Sequence, residues 1–197
     1  MSCSTLYGIT SNLYGVEISN YQNSWAFSPA IWGSLAKKYH TQDVIGFHGH
    51  EGWKEINTIM NKGENLVEQI CWELSNQQVF CVKDKDFVAD CIDKFIDVAR
   101  SLMLNDYDVE RFNTIANDIR KLNISEYKFF VFKNTSVDDA VENWFYKYDE
   151  DEEDYCDCCL SDSNYFENEL VVIDQINKCV VEFVSPDEFK SKHIQYE

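Results

Sequence analysis

"YKFFVF", residues Tyr127 to Phe132, is the stretch whose reading decides the fold. It is aromatic and β-branched and too short for a helix, so it reads as a strand. It also marks a change of pattern, because the hundred residues before it are organised at helical spacing.

Working upstream, Ser28-Pro29 places a hydroxyl at an N-cap and a proline at the first helical position, a strong start signal. Ile31, Trp32, Leu35, Ala36 and Tyr39 then share one face. Trp53, Ile56, Ile59 and Met60 predict a second helix, stopped by Gly63, and Leu66, Val67, Ile70, Cys71 and Leu74 a third. The strongest periodicity runs from Asp86 to Leu104 through Phe87, Val88, Cys91, Ile92, Phe95, Ile96, Ala99 and Leu102, with Asp84 or Asp86 as its cap. A further helix is expected from about Asp108 to Leu122, with Arg120 and Lys121 complementing the dipole of its last turn. At the start of the chain, Leu6-Tyr7-Gly8-Ile9 and Leu13-Tyr14-Gly15-Val16 flank Thr10-Ser11-Asn12 and read as a hairpin.

Downstream, Ser136 and Asp139 resemble a capping box for a helix with the face Val137, Ala140, Val141, Trp144 and Phe145. An acidic run begins where that helix should end. Leu170 to Ile173 and Cys179 to Val184 then make an antiparallel hairpin, and Ser185-Pro186 opens a short final helix. Strands at both ends and helices in the middle predict an α+β fold: a helical middle with a small, mostly antiparallel sheet formed by N-terminal and C-terminal strands. The expected organisation is one acidic globular domain over 1–197, with an acidic insertion at about 148–168.

Composition narrows the function classes. A chain of 197 residues with 45% hydrophobic and 15% aromatic residues has enough core formers to fold without disulfides, despite a formal net charge of -18. The start carries no basic leader and no apolar run approaches the roughly 20 residues of a membrane span, so the expected compartment is the cytoplasm, where the eight cysteines stay thiols. Cys71, Cys81 and Cys91, ten residues apart, match no ligand motif.

The charge is concentrated. Residues 1–147 hold 20 acids against 14 Lys and Arg, whereas 148–177 hold 11 acids and no Lys or Arg. Neither direct nucleic acid nor a membrane surface is therefore expected as a partner, and a basic protein surface is. Tyr148, Tyr155, Tyr165 and Phe166 interleave with these acids, and such residues anchor interfaces. An extended run of carboxylates at roughly 3.4 Å per residue also approaches the charge spacing of a DNA strand.

The same run fails as a calcium loop. Asp149, Asp151 and Glu153 alternate correctly, but the glycine position is Asp154 and the bidentate-glutamate position is Leu160. Cys156, Cys158 and Cys159 lack a clear second ligand pair, so free thiols outweigh a structural zinc. The other chemical candidate is the loop Gly46-Phe47-His48-Gly49-His50-Glu51-Gly52, where His48, His50 and Glu51 could hold a metal or serve as acid and base. A plain connecting loop is the better reading of so short a pattern. Phosphate-cradling glycine motifs and nucleophile elbows are missing, and no cofactor is expected.

In charge and size the chain is similar to small inhibitors that occupy nucleic-acid-binding surfaces, such as bacteriophage anti-defence proteins and the immunity proteins of nuclease toxins. That likeness implies stoichiometric binding, with Asp149, Glu150, Asp151, Glu152, Glu153, Asp154, Asp157 and Asp162 steering association. Tyr148, Tyr155 and Tyr165 would then supply the specific contacts. A metal-dependent enzyme built on the His48 loop and a structural or assembly protein are the alternatives.

Overall fold

The computed structural model describes residues 2–39, 50–102, 104–135, 144–163 and 165–192. The chain opens with β1 (Cys3–Ile9) and β2 (Gly15–Gln22), the expected hairpin, closed by a bond from the Leu13 N–H to the Thr10 carbonyl at 3.0 Å. Then come α1 (Ser28–Tyr39), α2 (His50–Met60), α3 (Leu66–Ser75), β3 (Val79–Cys81), α4 (Lys85–Ala99) and α5 (Asp106–Arg120). The decisive aromatic stretch lies in β4 (Phe129–Thr135). It is followed by β5 (Tyr146–Asp149), β6 (Asp154–Asp157), β7 (Leu170–Asp174), β8 (Cys179–Val184) and α6 (Pro186–Lys192).

The fold is α+β. Six strands form one sheet in the order β2-β1-β4-β3-β7-β8, while β5 and β6 pair separately. Every neighbour in the large sheet is antiparallel except β3 with β7. The sheet is thus larger than expected, because β3 bridges the N-terminal and C-terminal strands. With three residues, β3 is too short to show a period, although all three are buried.

Side chains alternate across the sheet and create two cores. Phe130 and Phe132 of β4, Phe80 of β3, Leu6 of β1 and Val171 of β7 face the layer of α1 to α5. Their neighbours Phe129, Val131, Val79, Cys81, Tyr7, Ile9 and Leu170 face a smaller cover made by Trp144, Phe145, Leu160, Phe166 and Phe189. Each fully buried Phe contributes roughly 1.5–3 kcal/mol of apolar transfer, so one short stretch of β4 ties both layers to the sheet.

Several boundaries depart from the sequence reading. The strongest helix, α4, ends at Ala99 rather than Leu104, and α5 starts at Asp106 through a capping box between Asn105 and Asp108. Asp84 occupies the N-cap of α4 but does not cap with its side chain. Its Oδ1 instead accepts from Gln175 Nε2 at 2.7 Å. Gly63 does stop α2, at a left-handed φ of 67°. The expected helix from Ser136 falls mostly on 136–143, outside the described residues. Its last two face residues, Trp144 and Phe145, form a turn that enters β5, so the acidic run begins in a hairpin and not at a helix end. Their burial against the second core is what had mimicked a helical face. Among the described residues, no helix is long and apolar enough to cross a membrane.

Candidate functional site

The acidic run is the tip of the β5–β6 hairpin. Asp149 and Asp154 close it, paired directly across the strands, and Glu150 to Glu153 form the turn. Asp149 Oδ1 accepts from the Asp151 N–H at 2.9 Å, and Glu153 takes a left-handed φ of 52°. An aspartate that caps its own turn offsets part of the strain of a non-glycine residue in that region. The run is therefore folded back on itself, which corrects the expectation of an extended, strand-like ladder of charge. The carboxylates crowd one tip.

Behind the tip, Tyr148 and Tyr155 face each other across the ladder with ring centroids 5.3 Å apart in an edge-to-face arrangement. Both stay open to solvent, 52% and 42% exposed. Asp157 lies at the far end of β6, opposite Tyr146. Asp162 and Tyr165 are exposed too, but they sit on the 3-10 turn Leu160–Asp162 and the loop beyond it rather than on the hairpin. The structure thus brings Tyr148 to Tyr155 together as one projection and leaves Asp162 and Tyr165 outside it.

The projection is rooted in the sheet. Cys158 N–H bonds the Phe145 carbonyl at 2.7 Å and Leu160 N–H bonds the Leu13 carbonyl at 3.0 Å. The Phe145 ring packs at a tilt against Tyr7, centroids 4.9 Å apart, and lies over Gly15, where a Cβ would come within 2.4 Å of it. Glycine is required at that close approach. Trp144 meets Phe166 edge to face at 5.3 Å, and Lys190 Nζ bonds the Ser163 carbonyl at 2.9 Å.

Of the cysteines beside the hairpin, Cys158 is buried, and its thiol is pushed up chiefly by that burial. Cys159 Sγ lies 2.9 Å from Ser161 Oγ and 3.3 Å from Asp162 Oδ2. Among the described residues no three His, Cys, Asp or Glu side chains are grouped to hold a metal ion. His48 lies outside the described residues. His50 and Glu51 belong to the first turn of α2 rather than to the connecting loop, and Glu51 is suited there to the positive end of the helix.

A second concentration of acid escaped the sequence reading. α3 is buried nearly all round and carries two enclosed glutamates. Glu68, in its first turn, is fully partnered: Lys38 forms an ion pair with it, Tyr39 Oη donates at 2.6 Å and Asn65 Nδ2 at 2.6 Å. Glu73, in the last turn, is 4% exposed, and its Oε1 has no hydrogen-bond partner among the described residues. Burial, reinforced by nearby Glu169, raises its carboxyl from 4.5 to about 8. The sequence did hold a signal, because Glu73 follows Leu66 and Ile70 at i+7 and i+3 and so falls on the apolar face.

The chain matches no family model, no curated protein and no solved structure.

Proposed function

We propose that this chain is a non-catalytic, cytoplasmic inhibitor that binds stoichiometrically to a basic protein surface, one that itself engages nucleic acid. It would act in the manner of a phage anti-defence or toxin-immunity protein. The observation that carries the reading is the exposed Tyr148–Tyr155 pair, held edge to face directly behind six clustered carboxylates. Charge of one sign speeds encounter with a basic partner, and the aromatic pair supplies rigid contact area once docked.

Two further features support it. The cross-strand opposition of Asp149 and Asp154 sets like charges face to face, an arrangement that costs the hairpin stability and that a basic partner would relieve. The hairpin is also rooted through Phe145 and Leu160, so its tip is presented on a fixed base. Because the carboxylates crowd a tip, the complementary surface would be a basic pocket or the end of a groove rather than a long strip. Nucleic acid itself and anionic membranes would be repelled.

The test is a pull-down from lysate of the natural source at low and high salt, beside a variant with residues 149–154 changed to Asn and Gln. A single basic, nucleic-acid-binding protein, recovered in a salt-sensitive way and bound at least tenfold more slowly by the variant, is the expected result. Equal association rates for the two chains at low salt would sink the proposal.

A further inference from the structure

Glu73 lines an open cleft of about 510 Å³ between α2 and the edge where β7 and β8 meet. Trp53 and Asn57 come from α2, Gln78 from the approach to β3, Glu169 from the approach to β7 and Phe183 from β8. The volume suits a small-molecule site, which commonly spans about 300–1,000 Å³.

The lining is selective in its chemistry. Two carboxyl groups, Glu73 and Glu169, share the cleft, and no Lys, Arg or His among the described residues lines it. Glu73 is enclosed with Oε1 unpartnered among the described residues, a costly state for a buried acceptor that a donor carried by a ligand would relieve. Of the three amide side chains that line the cleft, Asn57, Asn61 and Gln78, two already use their oxygens. Asn57 Oδ1 accepts from Trp72 Nε1 at 3.1 Å and Gln78 Oε1 from the Glu169 N–H at 2.6 Å. A bare metal ion would need several such oxygens, whereas an ammonium or guanidinium group brings its own donors to the two carboxyl groups. Trp53 and Phe183 offer aromatic walls for the cation and its alkyl stem.

The geometry points to a binding site for a small organic cation, an ammonium or guanidinium carried on an alkyl stem, held by Glu73 and Glu169 between Trp53 and Phe183. The site is separate from the hairpin and stands without the inhibitor reading. The cation can reach it as a free diamine or guanidino compound or as the side chain of a basic protein; the chemistry is shared.

Calorimetric titration of the intact chain tests this with six probes: putrescine and agmatine as free cations, N-acetyl-lysine amide and N-acetyl-arginine amide as side-chain stand-ins, and Mg²⁺ and Ca²⁺ alone. Saturable one-to-one binding of an organic cation is expected, weakened at least tenfold by Glu73→Gln, with the stronger pair of organic probes identifying the source. Among the described residues, Glu73 and Glu169 are the titratable groups that line the cleft. Glu73 must give up its proton to pair with the cation, so agmatine affinity should rise about tenfold per pH unit up to about pH 8. Should Glu73→Gln not fold, Glu169→Gln, at the other carboxyl group of the cleft, provides the same comparison. No saturable binding of any organic probe, binding of a divalent ion only, or unchanged affinity in the folded variants would overturn the assignment.

Discussion

Glu68 and Glu73 lie five positions apart on the same buried helix, yet one is enclosed by donors and the other is not. Position along the helix explains much of the difference. Glu68 sits in the first turn, where exposed amides and the positive end of the dipole favour a carboxylate, and Lys38 and Tyr39 of α1 complete its shell. Glu73 sits in the last turn, at the negative end of the dipole, with Glu169 as its charged neighbour. The first arrangement holds α1 against α3; the second leaves an acid facing a cleft. Together they show that a buried carboxylate can be structural or available according to what its helix end supplies.

The largest expected effect comes from making Glu68 resemble Glu73. Lys38→Ala removes the counter-charge, and breaking a buried pair from one side typically costs about 3–5 kcal/mol. Lys38 is 33% exposed at its side chain and Tyr39 and Asn65 remain, so a loss of about 2–3 kcal/mol in urea unfolding is expected. Adding Glu68→Gln should recover part of it. A loss near zero would mean that the tyrosine and asparagine alone suffice, and the contrast between the two glutamates would weaken.

Next in size is the pH response of Glu73. Its folded carboxyl titrates at about 8 and the unfolded one near 4.5. Between these values the unfolded chain has lost a proton that the folded chain keeps, so the contribution to stability is full below about 4.5, falls as pH rises and levels off above about 8. Since the cleft is open to water, a decline of order 2 kcal/mol is expected, less than the full shift would give at about 1.4 kcal/mol per unit. Glu73→Gln should remove this slope while leaving the rest of the pH profile in place. A profile identical in the two chains would show that Glu73 titrates normally.

Legibility in the sequence followed the strength of local patterning. Both terminal hairpins, α1 with its Ser28-Pro29 start and the paired helices around Gly63 were readable because turn chemistry and apolar period agreed there. β3 was not, since three residues carry no period and its pairing with β4 and β7 is entirely non-local. β5 and β6 were hidden for another reason: four residues carry little period, the acids from Asp149 to Asp154 mask the strand ends beside them, and Phe145, at the root of the hairpin, packs over Gly15 far away in sequence. Glu73 was visible in phase, but its cleft is assembled from α2, α3, β8 and two connecting segments that only the tertiary fold brings together.

The hairpin tip offers the third setting for a carboxylate in this molecule, exposed and neither paired like Glu68 nor enclosed like Glu73. The smallest stability effect, and the sharpest separation of the three, is expected from Asp154→Asn. The change keeps the acceptor that the Tyr155 N–H uses at 2.7 Å and removes the like-charge opposition to Asp149. Melting temperature should therefore rise slightly at low salt, with the gain fading as ionic strength screens the pair. If the tip is only a solvated turn, that gain carries no cost. If it steers a basic partner, the same substitution should slow association with the captured partner in stopped-flow measurements while dissociation stays nearly constant. A variant that is more stable yet slower to bind would show that the charge at the tip is kept for a partner at the expense of the fold. One that is more stable and equally fast would return the hairpin to the ordinary surface.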